Sequence, residues 1–356
     1  MNIFSLILAG GGGTRFWPLS RKDLPKQYLN LSGNDALINE TILRQKGLIP
    51  YEHTFIITGK NQSNTLEEVL LKEIPKENIF YESVGRNTAP CILLSAMKIH
   101  KKYGDGVMCV FPSDHYISNA TAFKNVLCDA VKIAETTDNL ITIGIKPTFP
   151  STGYGYIKYN SVNKIGNAYE VTDFIEKPVY EKACQFLSEG SYLWNSGTFI
   201  WRISIILDNF KRFLPRMYKQ MEKIMPYLWK ENEGEMLDEI YSELQSISVD
   251  YGILERSGDV YVLLGDYGWS DIGSWDSLGS IFPSDKFGNI VKADHLNIDS
   301  RECIIFGSKK IIATIGLEDM IVVSVDDATL VCPKSRAQDV KEIVELLKKN
   351  GRFDLL

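Results

Sequence analysis

The sequence predicts an α/β protein with one large sheet-and-helix domain, followed by a small β domain that ends in a helix. Three observations predict it. Short apolar runs alternate with amphipathic stretches from Ile3 to Ile145, the pattern of strands and helices that build a sheet with parallel strands. After a Phe282-Pro283-Ser284-Asp285 break, short β runs follow one another without helices. The chain then closes on a single helical pattern.

The elements follow in order. Ile3–Leu8 is a β-like run that stops at glycines, and Thr54–Thr58 is a second. Val107–Phe111 is a third, ending abruptly in Pro112-Ser113-Asp114-His115, and Leu140–Ile145 is a fourth. Between them, Phe123, Val126, Leu127, Ala130, Val131 and Ala134 share one helical face. Pro90 sits where a helix begins, with an apolar stretch to about Tyr103. From about Ser151 to Gly197 short turn-rich strands dominate, Thr152 to Ile157 and Glu170–Ile175 among them. Residues from about Ser204 to Gln245 read as charged helices, and Val260–Leu264 as a strand. The small β domain comprises Ile290–Lys292, Cys303–Phe306, Ile311–Ile315, Met320–Ser324 and Thr329–Cys332. Val340, Ile343, Val344 and Leu347 then give the i, i+3, i+4, i+7 pattern of a helix. Ser335 and Gln338 are candidates for its capping box, with Gly351 just past its end. The expected domain limits are 1–282 and 283–356.

Composition excludes several classes of function. The chain of 356 residues is 44% hydrophobic and 24% charged, ordinary for a globular protein. A formal net charge of −6 leaves no global basic field for nucleic acid, so a phosphate ligand requires a local basic cluster. The six cysteines form no C-x-x-C pair and read as reduced core thiols of a cytosolic protein. No apolar run approaches the roughly 18 residues of a membrane span. The start MNIFSLILAGGGG lacks the basic n-region of a signal peptide. The expected location is therefore cytoplasmic.

A strand followed by Gly10-Gly11-Gly12-Gly13-Thr14-Arg15 suggests a phosphate cradle, because glycines let backbone N–H groups approach anionic oxygens. A Walker A loop needs Gly-Lys-Ser/Thr where Arg15-Phe16 stands. A dinucleotide fingerprint needs a third glycine opening a helix, and here Arg15 or Phe16 takes that place with Pro18 close behind. A flexible glycine turn is the remaining alternative. Arg15, Arg21, Lys22 and Lys26 follow the glycines, either as the required local cluster or as a solvated basic loop.

Other candidates lie further along. Asp114 follows the end of a strand, where ligands of open α/β sheets bind, and Asp271 lies in a Gly-Trp-Ser-Asp-Ile-Gly turn. Such hard oxygens suit Mg²⁺, or serve as turn formers. The four histidines, His53, His100, His115 and His295, show no zinc-ligand spacing. Glu176 and Lys177 end a strand, where neighbours point to opposite faces unless a twist at Pro178 turns both toward one pocket. Gly85-Arg86-Asn87-Thr88 precedes the helix at Pro90, with Asn87 or Thr88 as its cap.

The segment LAGGGGTRFWPLSRKDLPKQY, from Leu8 to Tyr28, resembles the signature of the mannose-1-phosphate guanylyltransferases (GDP-mannose pyrophosphorylases) among the sugar nucleotidyltransferases. Phe16-Trp17 and Lys26-Gln27 point to the guanylyltransferase branch. The resemblance continues through Gly85–Pro90, Phe111–His115, Phe174–Pro178, Trp194–Gly197, Trp269–Gly273 and Leu330–Val340, in order along almost the whole chain. It implies a Rossmann-like, glycosyltransferase-A-like mixed sheet flanked by helices, with a C-terminal domain like a left-handed β-helix. The implied activity is transfer of GMP from GTP to mannose 1-phosphate with Mg²⁺, giving GDP-mannose and pyrophosphate. The implied nucleotide site comprises Leu8, Ala9, Gly10, Gly11, Gly12, Gly13, Thr14, Gly85, Asn87, Thr88 and Ser113, with Gly85 to Thr88 meeting guanine. Arg15 and Lys26 would stabilise the triphosphate and the leaving pyrophosphate, and Asp114 and Asp271 would hold the metal. Lys177 would bind the sugar's phosphate, Glu176 and Asn195 its hydroxyls, and Gly155 would let the backbone approach it.

The incoming phosphate has a second pKa near about 6, so it is largely dianionic at neutral pH and needs no general base. No His or Cys nucleophile motif stands in the sequence, which fits direct displacement. Rival readings are another sugar 1-phosphate such as heptose or fucose, a catalytically silent subunit, and a dehydrogenase. Retention of Arg15, Lys26, Asp114, Lys177 and Asp271 disfavours the silent subunit, and the missing third glycine disfavours the dehydrogenase. Longer bacterial relatives add a cupin-type isomerase domain. This chain stops at Leu356, and no isomerase activity is expected. A homodimer is expected, with no nucleic-acid or membrane partner.

Overall fold

The computed structural model describes residues 1–356, and the apolar runs form its strands. The first half contains β1 (Ile3–Leu8), α1 (Leu37–Leu43), β2 (Thr54–Gly59), α2 (Ser63–Val69), β3 (Ile79–Glu82), α3 (Thr88–Tyr103), β4 (Val107–Pro112), β5 (Tyr116–Ile117), α4 (Ala120–Thr136) and β6 (Leu140–Ile145). There follow β7 (Tyr156–Ile165), β8 (Ala168–Ile175), α5 (Tyr180–Glu189), β9 (Tyr192–Arg202), α6 (Ile203–Phe213), α7 (Pro215–Glu222), α8 (Glu233–Glu243), β10 (Val260–Gly265) and β11 (Trp269–Ser270). Nine of these strands make one sheet in the order β3-β2-β1-β4-β9-β6-β10-β8-β7.

The strands β3, β2, β1 and β4 run parallel, as their alternation with helices requires. At the centre β9 runs antiparallel to both β4 and β6, so the sheet is mixed. Nearly all of β9 is buried, so its sequence lacks the alternation that marks a half-exposed antiparallel strand. Both faces of the sheet are covered: Phe4, Leu6, Met108 and Val110 enter one core, and Ile7, Cys109 and Phe111 the other. The strand expected at Thr152 instead begins at Tyr156. The preceding residues turn, with Ser151 Oγ accepting the Gly153 N–H at 3.2 Å and Ser151 O the Tyr156 hydroxyl at 3.0 Å. All six cysteines are free, three of them buried. No helix is long and apolar enough to cross a membrane.

The C-terminal β unit holds β12 (Ile290–Lys292), β13 (His295–Ile298), β14 (Ile304–Gly307), β15 (Ile312–Ile315), β16 (Met320–Ser324) and β17 (Thr329–Pro333), then α9 (Val340–Lys349). From β12 to β16 successive strands enter alternate sheets, so β12, β14 and β16 pair in parallel while β13 pairs in parallel with β15, and β17 returns antiparallel to β16. That coil is a β-helix. The capping box expected at Ser335 and Gln338 is not formed. Both lie in the 3-10 turn Lys334–Asp339, and Gln338 instead donates to Ser274 Oγ at 2.7 Å, so α9 starts at Val340 without a side-chain cap.

The unit docks through a third core that joins Phe16, Trp17, Ile272 and Trp275 to Ile304, Ile321, Val340 and Val344. Trp275 Nε1 donates to Trp17 O at 3.1 Å, and Trp17 Nε1 donates to Leu355 O at 2.9 Å. The Trp275 ring also meets Phe16 and Phe306 at centroid distances of 5.1 and 5.3 Å. Trp275 is fully buried. Trp275→Ala is therefore expected to lower stability by about 3–5 kcal/mol in denaturant unfolding. A loss below about 1 kcal/mol would show that this core does not hold the unit in place.

Candidate active site

Because β1 and β4 are parallel neighbours, their carboxyl ends deliver the glycine loop and Asp114 to the same edge of the sheet. The loop is held from behind through its carbonyls. Thr58 Oγ1 and Gln27 Nε2 donate to Ala9 O at 3.0 Å each, and Gln62 Nε2 donates to Gly11 O at 3.3 Å. Leu8 and Ser113 belong to this backing: the Ser113 N–H donates to Leu8 O at 3.2 Å. The N–H groups of Gly10, Gly11, Gly12 and Gly13 donate to no protein acceptor, and the outer three glycines leave open space where a side chain would stand or carry only Thr14 nearby. A row of free donors on anchored carbonyls is an anion cradle.

Gly13 has φ 54°, and a Cβ there would stand 2.6 Å from Lys26 Cβ. Its absence admits Lys26, whose side chain is only 7% exposed. The Lys26 ammonium donates to Asp114 Oδ2 at 2.9 Å and to the Asp271 carbonyl at 2.5 Å. Burial raises the Asp114 pKa, but the Lys26 and His115 charges outweigh it and hold the carboxyl below its usual range. Burial lowers the His115 pKa against the pull of Asp114. Asp271 Oδ1 accepts the Tyr154 hydroxyl at 2.6 Å, and burial followed by the Asp271 charge pushes that phenol well up. A cavity of about 380 Å³ opens here, lined by Thr14, Arg15, Lys26, Asp114, His115, Asp271 and Lys341. Arg15 is exposed and takes part in no ion pair.

A second group assembles beside it. At the end of β8 the chain turns at Lys177, whose φ is 46°. The opposite-face arrangement expected of a strand therefore does not hold: the Lys177 ammonium pairs with the Glu176 carboxylate, and the turn lies at Lys177 rather than Pro178. Gly155 lies against Glu176 and Asn195, where a Cβ would collide with the Glu176 carboxylate. Asn195 N donates to Gly155 O at 2.8 Å, and Asn195 Nδ2 to Asp250 Oδ1 at 2.9 Å. Gly85, Asn87 and Thr88 sit at the end of β3, on the same sheet edge but outside the cavity of Arg15 and Lys26. Asn87 has φ 67° and caps α3 by accepting the Thr88 N–H at 2.9 Å. Arg86 straps this segment to the carbonyls of Tyr241 and Ser242 at 3.3 and 2.5 Å.

Residues 4–286 match the Nucleotidyl transferase family, and residues 293–347 match the MannoseP isomerase/GMP-like beta-helix domain. The chain is 36% identical over 360 residues to a mannose-1-phosphate guanylyltransferase of Klebsiella pneumoniae, aligning 99% of this chain with 75% of that protein. The chain belongs to the mannose-1-phosphate guanylyltransferase family. It is also 36% identical to the xanthan biosynthesis protein XanB of Xanthomonas campestris pv. campestris, over 99% of this chain and 75% of that one. A crystal structure of a Thermus thermophilus protein, described as a mannose-1-phosphate geranyltransferase, superposes with a TM-score of 0.89 at 32% identity. It covers 98% of this chain and all of its own.

For this member of the family, three site residues had no sequence signal as single residues. Tyr154 joins the two groups, since it holds Asp271 while the next residue, Gly155, meets Glu176 and Asn195. Asp250, on a π-helical turn over Asp250–Leu254, anchors Asn195. Lys341 reaches the cavity from α9.

Two outcomes follow from this geometry. Gly13→Ala is expected to displace Lys26 and lower turnover by about 10² or more, read as pyrophosphate release. Turnover within about threefold of wild type would refute the close-approach argument. The Asp250 carboxyl is pushed from 3.8 up to about 6, by burial and then by Glu176. The folded state thus binds this proton more tightly than the unfolded state, and stability falls as pH rises from about 4 to about 6. Asp250→Asn removes that dependence. Its thermal midpoint relative to wild type should climb across the same window and level off above it; a constant difference from pH 4 to 7 would contradict the assignment.

Proposed function

We propose that the protein transfers GMP from GTP to mannose 1-phosphate, giving GDP-mannose and pyrophosphate, by direct in-line displacement at the α-phosphorus. The observation that carries this reading is the buried Lys26 ammonium. It joins the glycine loop to Asp114 and Asp271 beside a row of free backbone donors. Such a site neutralises and positions phosphates, which is what phosphoryl and nucleotidyl transfer require.

The incoming phosphate oxygen is the nucleophile, and its second pKa near about 6 leaves it dianionic without a general base. The loop N–H groups and Arg15 hold the triphosphate, and Lys26 stabilises the charge that builds on the departing pyrophosphate. Lys177 exchanges its Glu176 partner for the phosphate of the sugar phosphate, and Glu176 and Asn195 meet sugar hydroxyls over the bare backbone of Gly155. Asn87 keeps its amide N–H groups free for the guanine edge while its oxygen caps α3.

Asp114 and Asp271 fit Mg²⁺. Asp271 Oδ2 and Asp114 Oδ1 accept no hydrogen bond in the protein, and the missing Cβ of Gly273 leaves room beside Asp271 Oδ2, where it would otherwise stand at 2.9 Å. Two carboxylates suit an ion that takes its other ligands from phosphate and water. When bound, Mg²⁺ supplies charge neutralisation at the phosphate oxygens. A cytoplasmic homodimer completes the proposal.

The test is pyrophosphate release with GTP, ATP, UTP and dTTP crossed with mannose, glucose, heptose and fucose 1-phosphates. GTP with mannose 1-phosphate is expected to be fastest, and chelation of divalent metal to abolish release. Asp271→Asn and Lys177→Ala should each lower turnover by about 10² or more. Near-normal pyrophosphorolysis of GDP-mannose in both variants would overturn the assignment.

A further inference from the structure

We infer that Lys341, on the helix of the C-terminal β unit, is a phosphate-binding residue of the nucleotide pocket. The inference rests on the nucleotidyl-transfer reading and extends it, because it makes the β unit part of the active site rather than an appendage to it.

Three observations carry it. First, Lys341 lines the same cavity as Arg15, Lys26, Asp114 and Asp271, although it stands more than two hundred residues from the first four strands of the sheet. Second, its position is fixed by packing. α9 lies on the turn Thr14–Phe16 that follows the glycines, and Val340 and Val344 share a core with Phe16 and Trp17. With Val340 buried, the next residue on the helix is carried past the edge of that core toward the loop. Third, the Lys341 side chain has no carboxylate partner. Its charged neighbours pair among themselves, Arg336 with Asp339 and Lys348 with Glu345. Glu342 and Glu345 line a separate outer depression together with Lys349, and Lys341 stands on the rim between the two hollows.

The charge balance gives this position a purpose. Without Lys341 the cavity holds two cations, Arg15 and Lys26, against two carboxylates, Asp114 and Asp271, and Lys26 is already bound to Asp114. Even where Mg²⁺ offsets the two carboxylates, a triphosphate would then meet only Arg15 as an unpaired side-chain cation. Lys341 adds a second unpaired cation at the Thr14–Arg15 end of a cavity that Glu176 and Lys177 do not line. That end suits the terminal phosphates, which leave as pyrophosphate. Lys341 should therefore act on the nucleotide and on pyrophosphate but not on the sugar phosphate.

The test uses the full chain with Lys341→Ala, Lys341→Glu and Lys341→Arg, and with Lys349→Ala as a control on the same helix. Binding of inorganic tripolyphosphate is measured by calorimetry, and KM is measured for GTP and mannose 1-phosphate forward and for pyrophosphate in reverse. Lys341→Ala is expected to weaken tripolyphosphate binding and raise KM for GTP and pyrophosphate by about tenfold. Lys341→Glu should do more, Lys341→Arg should recover most of the loss, and KM for mannose 1-phosphate should stay within about twofold. Lys349→Ala should change nothing. Tripolyphosphate binding and GTP KM at wild-type values in Lys341→Glu would overturn the inference, as would an equal rise in the mannose 1-phosphate KM. Failure of the underlying reading looks different: the wild-type chain would then release no pyrophosphate from any nucleotide, while the tripolyphosphate measurement would still report on Lys341.

Discussion

The ammonium of Lys26 is the point on which this molecule closes. Taking an ammonium out of water costs several kcal/mol unless it is paired and hydrogen-bonded. Its two acceptors lie 88 and 245 residues further along the chain, so the charge is satisfied only when β4 and the turn after β11 have both arrived. The approach is possible because Gly13 has no side chain to occupy the same space. The parallel order of β1 and β4 puts the glycine loop and Asp114 on one edge of the sheet. Loop, carboxylates and sheet topology therefore specify one another.

From that point the site extends in two directions. On one side the free N–H groups of the glycines and Arg15 face outward in a protein whose net charge is −6. On the other, Tyr154 couples Asp271 to the group of Gly155, Glu176 and Asn195. Its ring meets Trp194 and Trp269 at centroid distances of 5.0 and 5.4 Å, and Trp194 in turn meets Phe149 at 4.8 Å. This aromatic wall lowers the local dielectric around the Tyr154–Asp271 hydrogen bond, which strengthens it.

Much of the fold was legible because its cause is local. The strands β1, β2, β4 and β6 are covered on both faces and show as largely apolar runs, while α4 and α9 show one apolar stripe each. The short edge strand β3 and the outward-facing Leu296 and Ile298 of β13 gave no comparable pattern. The direction of β9 is a property of its neighbours in the sheet, and a buried run does not encode it. Ser335 and Gln338 carried a capping pattern that a contact with Ser274 overrode. Within the site, Arg15, Lys26, Asp114, Lys177 and Asp271 were legible as members of motifs. The partnership of Lys26 with both aspartates was not, and neither were Tyr154, Asp250 and Lys341. Each of these gains its role from a segment distant in sequence, and Lys341 by itself reads as an ordinary solvated residue on an amphipathic helix.

The hydrogen bond from Trp17 to the carbonyl of Leu355 spans 338 residues. The glycine loop is made long before the residues that brace the turn following it. At typical synthesis rates the interval is on the order of 20 to 70 seconds. Throughout it the nascent chain carries a loop whose apolar backing, Phe16 and Trp17, is uncovered. Phe16 and Trp17 therefore gain their full covering only after the β-helix has been made. A turn made early in synthesis is thus braced late.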